Sequence, residues 1–297
     1  MFTGLRFGVA AAFCGAFGAS ALAQSAQDQF YERSFVAALN VRCELFDARS
    51  TAALEAARLQ VRGALIRADV PEAVLAEAVS VSDRAAMALD CEAEETLALA
   101  ERFQDAFSGY LTLRTMDFPG ESRGWTTDRG PLAYGAGWVG WQDAEPLRTG
   151  VAAFADGPAL AVRAPQDAGR LTGARLVLRD PTGEPNLFDP TIGGLLPARP
   201  GAEWVRYGPP DHASTHYWAA ARFTPEESEA LGGPGFRFGD DAAIALAAAD
   251  PRETVRIDFI GPLGEPAAQI WVEVGDFAAA LAFLRAAMPA PSSSAGG

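Results

Sequence analysis

The chain has two histidines, and both fall in one stretch, DHASTHYW (211–218). The i, i+4 spacing of His212 and His216 puts them on one face of a helix or a strand, with Asp211 beside them as a third donor. Two imidazoles and a carboxylate, with a fourth position open to water, are what a zinc-assisted hydrolase needs. The stretch departs from that pattern in two ways. The glutamate of an H-E-x-x-H helix is missing. Pro209 and Pro210 stand just before it, which places His212 in a loop and His216 on the strand that follows. Asp211, His212 and His216 are therefore read as surface or rim residues. No metal or cofactor is expected, and a metal-dependent hydrolase built on 211–216 is kept as the alternative.

Other catalytic inventories are thin. Ser214 and Ser228 lack a G-x-S-x-G context. All 24 basic residues are arginine, which removes Schiff-base lysines, Ser–Lys dyads and the P-loop lysine. A glycosidase-type carboxylate pair is defined by its separation in space, so the 38 acidic residues name no such pair.

The six tryptophans, Trp125, Trp138, Trp141, Trp204, Trp218 and Trp271, all lie in the later part of the chain. They serve either as core packing or, where exposed, as a sugar-stacking platform. The segment 181–212 is punctuated by Pro and Gly and has no period, the mark of a functional or a disordered loop. It carries Arg199, Trp204, Arg206 and Tyr207 and leads into the histidines. Binding is expected at Trp204, Arg206, Tyr207 and Trp218, if anywhere. A net charge of −14 with no basic cluster argues against nucleic acid as a partner.

The elements that would position these residues come in two kinds. Residues 1–23 read as a leader: Arg6, an apolar run, then small residues at Ala21 and Ala23. Cleavage after Ala23 would send the mature chain, which has no further membrane-spanning stretch, to the periplasm. Cys43 and Cys91 are the cysteines left beyond the leader, and an oxidising compartment makes a disulfide of them. Apolar residues recur at helical spacing across 27–47, 51–68, 71–89 and 92–111. In an up-down-up-down bundle, the end of the first helix and the start of the fourth lie together, where a disulfide reaches. Ser50 or Thr51 is expected to cap the second helix and Asp69 the third.

Pro119, Gly120, Gly124, Gly130 and Pro131 interrupt the pattern, so 116–131 reads as a linker. After it come strands at 132–141, 150–155, 159–164, 174–179, 214–223, 254–260 and 269–274. Helices are expected at 241–249 and 277–287, capped by Asp240 and Asp276. The fold expected is α+β: a disulfide-clamped four-helix bundle (24–115), then an antiparallel sandwich-like or partly open barrel domain (132–288) with a C-terminal helix, then a flexible tail (289–297).

The run AIALAAADPRETVRIDFIGPLGEPAAQIWVEVGDFAAALAFL (243–284) resembles the C-terminal end of the invasion-associated locus B family of exported proteobacterial proteins. Gly275, Asp276, Phe277, Ala280, Leu281 and Leu284 carry the likeness. The family's characteristic cysteines are absent here and the helical part has no counterpart there. The layout also resembles exported alphaproteobacterial proteins. The resemblance implies a periplasmic β-sandwich, with no known catalytic residues to carry over. The function expected is a non-catalytic periplasmic interaction or structural protein whose partner is another envelope protein or envelope component. A carbohydrate-binding module is the further alternative.

Overall fold

The computed structural model describes residues 17–144, 147–165, 170–189 and 205–287. Four helices come first: α1 Phe17–Cys43, α2 Ala48–Arg67, α3 Glu72–Met87 and α4 Glu94–Thr112. Their ends are set by side chains other than those expected. α1 stops at Cys43 because Asn40 turns the chain: its Oδ1 accepts from Phe46 N (2.8 Å) and its Nδ2 donates to Thr51 Oγ1 (3.0 Å). Asp47, and not Ser50 or Thr51, caps α2 by accepting from Ser50 N at 2.7 Å. Asp69 does not cap α3, whose N-cap is Pro71. It sits in the left-handed region (φ 58°) and faces Arg252 at 3.3 Å. Cys43 and Cys91 are joined, with their Cα atoms 5.5 Å apart, and tie the end of α1 to the turn before α4. Among the described residues no helix is long and apolar enough to cross a membrane.

The segment read as a linker is folded. It forms β1 Thr115–Phe118 and β2 Trp125–Asp128, an antiparallel hairpin, followed by a 3₁₀ turn at Gly130–Ala133. Pro119, Gly120 and Gly124 lie in the hairpin's wide loop, and Gly130 and Pro131 open the 3₁₀ turn. The buried Glu273 carboxylate holds that loop by accepting the backbone N–H groups of Glu121, Ser122 and Arg123. Trp125 anchors it from the other side, its Nε1 donating to Val274 O at 2.8 Å.

The strands that follow are β3 Gly137–Ala144, β4 Leu147–Phe154, β5 Gly157–Arg163, β6 Gly173–Arg179, β7 Ser214–Arg222, β8 Gly235–Phe238, β9 Thr254–Ile260 and β10 Pro266–Glu273. With β1 and β2 they make ten antiparallel strands in the order β1-β2-β3-β4-β5-β8-β7-β6-β9-β10. Helices α5 Pro225–Leu231, α6 Asp240–Ala248 and α7 Phe277–Arg285 interrupt and end them. α5 carries a Thr224/Glu227 capping box. Gly239, and not Asp240, stands at the N-cap of α6. The sheet curls until β3 meets β10. There Gln142 imitates a missing strand pairing: its Oε1 accepts from Glu273 N (2.8 Å) and its Nε2 donates to Glu273 O (3.2 Å).

α7 fills the hollow. It is apolar nearly all round, as a helix between two partners must be. Phe277, Leu281, Phe283 and Leu284 share a core with Leu176, Ile257 and Phe259 of the strands. On its other side α7 meets α2. Arg67 grips the buried Asp276 through two bonds of 2.6 and 3.0 Å, and Gly63 makes room, since a Cβ there would lie 1.9 Å from Asp276 Oδ1. Asp276 thus occupies the N-cap position of α7, but its side chain makes no cap hydrogen bond.

Arg129 completes the seam between helices and sheet. It donates to Phe283 O at 2.6 Å and to Leu113 O at 2.9 Å, and its guanidinium lies 3.5 Å from the Phe283 ring centroid. These are carbonyls at the ends of α7 and α4, where a cation opposes the helix dipole. Burial with carbonyl partners only pulls the guanidinium down to about 10.

Candidate functional site

Strand alternation gives β6, β7, β9 and β10 one face toward α7 and one face outward. Leu176, Tyr217, Ile257 and Ile270 go inward to the core. Outward, the register aligns two rows across the strands. One row is Trp218, Arg175, Asp258 and Gln269; the next is His216, Val177, Arg256 and Trp271.

Asp258 organises this face. Its side chain is wholly buried, and two arginines hold it: Arg175 Nε at 2.9 Å and Arg256 Nε at 2.8 Å. Each guanidinium also lies near an indole, Arg175 at 5.7 Å from the Trp218 ring and Arg256 at 5.9 Å from that of Trp271. A third pair, Arg179 with the buried Glu253, closes the β6–β9 end at 3.0 Å. Burial pushes the Glu253 carboxyl up, and Arg179 pulls it back.

Residues 207–210, just before β7, lie over part of this face. Thr254 N donates to Tyr207 O at 2.7 Å, the buried Gly208 lies against the Trp271 ring, and Pro209 and Pro210 are buried. Arg206 stands outside, 3.6 Å from Glu121 and 4.9 Å from the Tyr207 ring centroid. Trp204 and Arg199 lie outside the described residues. These described residues leave the β7 side of the face open, and Trp218 is 56% exposed.

Asp211, His212 and His216 are not brought together. Asp211, 93% exposed, reaches Arg256 at 3.4 Å. His212 sits in the turn before β7, 3.7 Å from Glu184 and edge-on to Phe188. His216 lies on β7, with Nε2 3.1 Å from Ser214 Oγ. Among the described residues no three His, Cys, Asp or Glu side chains are placed to hold a metal ion. The Ser214–His216 pair has the nucleophile–base distance of an acyl-transfer site. Among the described residues Ser214 is the hydrogen-bond partner of His216 and no carboxylate bonds the ring to make the third member of a triad. Burial lowers the His216 pKa, and the charges of Arg175 and Arg256 lower it further against a smaller opposing effect of Asp258.

Most of the described indoles are packing residues. Trp125 and Trp138 are buried and donate to backbone carbonyls, while Trp141 and Trp271 are half-buried. Trp218 alone among the described tryptophans is exposed. Arg175, Arg256, Asp258 and Gln269, by contrast, had no sequence signal as site residues beyond one. In ARLVLR (174–179) and VRIDFI (255–260), charge falls at alternate positions opposite the apolar ones. That pattern says "outer face" but does not say that the two strands are neighbours. The chain matches no family model, no curated protein and no solved structure.

Proposed function

We propose that this chain is a non-catalytic binding protein of the periplasm, exported on a cleaved leader, which meets a component of the cell envelope on the outer face of β7, β6, β9 and β10. The observation that carries the reading is Trp218: a large indole kept exposed beside Arg175, on a face whose other charges are paired and partly roofed. Large aromatics and arginines are the side chains that anchor interfaces, and an exposed one beside fixed polar groups is a binding feature more than a packing feature. The thin catalytic inventory and the leader-like 1–23 support the same reading, as does the resemblance of 243–284 to an exported family that offers no known catalytic residues to carry over.

The test is retention. The purified mature chain is immobilised and exposed to solubilised envelope fractions, beside Trp218→Ala and a control at another exposed aromatic, Tyr134→Ala. Retention by the wild type and the control, lost in Trp218→Ala, supports the face as the working surface. Equal retention by all three chains, or none by any, sinks the proposal.

A further inference from the structure

The chemistry around Trp218 narrows what it would take. Arg175 uses Nε on Asp258 Oδ2, and neither of its Nη atoms has a hydrogen-bond partner among the described residues. Holding Nε fixes the plane of the guanidinium, so the remaining donors form a pre-set fork of the kind that matches a carboxylate. The charges around it are unevenly shared. Arg256 faces both oxygens of Asp258, at 2.8 and 3.5 Å, and also Asp211 at 3.4 Å. Arg175 faces only one oxygen of the shared carboxylate. The residual positive charge therefore sits at the Trp218 end, in a chain whose net charge is −14. The downward pull of both arginines on His216 reports the same local potential.

The second feature is the flat apolar surface. The Trp218 ring and the Arg175 guanidinium are 5.7 Å apart, so a ligand that uses both must carry an anionic group next to an apolar ring face. His216 and Ser214 stand on the same face of β7 and offer hydrogen bonds to hydroxyl groups. A glutamate or aspartate side chain would use the fork and leave the indole bare. A neutral sugar would use the indole and leave the fork bare.

Resting on the proposed binding role of this face, we infer that its ligand is an acidic saccharide: a pyranose stacked on Trp218 with its carboxylate on the Arg175 Nη pair. The occupant carries hydroxyl groups for His216 and Ser214, and its negative charge complements the one end of the face left positive.

The experiment titrates the full mature chain, by calorimetry and by tryptophan emission, with four probes: a galacturonic acid trimer, maltotriose, triglutamate and benzoate. The uronic trimer is expected to bind at least about tenfold more tightly than maltotriose, as one charge-assisted bidentate contact implies. Triglutamate should bind as weakly as maltotriose or more so, and benzoate, which has the carboxylate and the ring face but no hydroxyl groups for His216 and Ser214, more weakly than the uronic trimer. Trp218→Ala should weaken uronate binding by about tenfold or more. Tyr134→Ala should leave it unchanged, and raised salt should weaken it. Because Arg175→Gln removes one partner of a buried carboxylate, Arg175→Lys is run beside it, with thermal unfolding as the folding control. Lysine keeps the charge without the fork, and weaker binding by a folded Arg175→Lys supports the geometry. Equal binding of maltotriose, tighter binding of triglutamate or benzoate, or uronate binding unaffected by Trp218→Ala overturns the inference. If Trp218→Ala loses envelope retention while no uronate binds, the binding face stands and the ligand class falls.

Discussion

Replacing Arg67 with methionine keeps the aliphatic stem and removes the charge that faces Asp276. The Asp276 side chain is 0% exposed and that of Arg67 13%. Breaking a buried pair by removing one partner costs about 3–5 kcal/mol, because it strands a charge. The carboxyl can escape by taking a proton, and this sets a ceiling. Protonating a group whose unfolded pKa is about 3.9 costs about 4 kcal/mol at pH 7, at about 1.4 kcal/mol per pH unit. The same escape costs only about 1.5 kcal/mol at pH 5.

The sign follows from the native carboxyl, which burial already raises and Arg67 only partly restores. A raised acid contributes stability that is fully present below its unfolded pKa and lost as pH rises through the folded one. The Arg67→Met loss should therefore be about 3–4 kcal/mol at pH 7 and shrink toward about 1.5 kcal/mol at pH 5. In Arg67→Met/Asp276→Asn it should be near 1 kcal/mol and flat with pH. Urea unfolding at several pH values measures this, read by emission from Trp125, whose ring lies 4.7 Å from that of Phe277. A single-variant loss under about 1 kcal/mol at pH 7, or one that does not change with pH, refutes the reasoning.

Three further outcomes are expected. Arg129→Met leaves the Phe283 and Leu113 carbonyls buried without their donor, and should cost about 2–4 kcal/mol in urea unfolding; a change below about 0.5 kcal/mol would mean that water replaces the guanidinium. Removing the disulfide as Cys43→Ser/Cys91→Ser should lower stability by up to about 4 kcal/mol while leaving uronate binding intact, because the bridge lies in the helical part. His216, lowered by burial and then by Arg175 and Arg256, should contribute stability that is present above about pH 6.5 and lost as pH falls through its lowered value. Its protonation adds positive charge beside Arg175, Arg256 and Asp258, so uronate affinity should rise on acidification. His216→Ala, followed by calorimetry across the same pH range, should remove that rise.

What was legible in the sequence is what local periodicity can encode. The four helices, most of the strands and the Cys43–Cys91 bond followed from apolar spacing and a reach argument. Hairpin β1–β2 was hidden because its loop is fixed by Glu273, a residue far along the chain that supplies an acceptor for amides no local partner could satisfy. β8 is only four residues long, Gly235–Phe238, too short for alternation to register. The caps were misplaced for a related reason. Asp276 had the right residue type for a cap, but an arginine 209 positions away in sequence took its carboxylate. At the candidate site the sequence drew attention to the histidines, which are rare. The structure draws it to arginines, which are common, because only strand register puts Arg175 and Arg256 on the two sides of one aspartate.

The lodging of α7 between α2 and the sheet has a consequence for the order of events in folding. The helices α1 to α4 emerge first from any ribosome or export channel, yet the surface of α2 that receives α7 stays uncovered until the chain has grown past residue 285. Pairings this distant in sequence form late and expose apolar surface while they wait. The disulfide, closing a separation of 48 residues, needs nothing downstream and can form during that wait. A covalent latch between early elements, set before the last helix arrives, would keep the receiving surface in shape for a partner that the chain itself has yet to deliver.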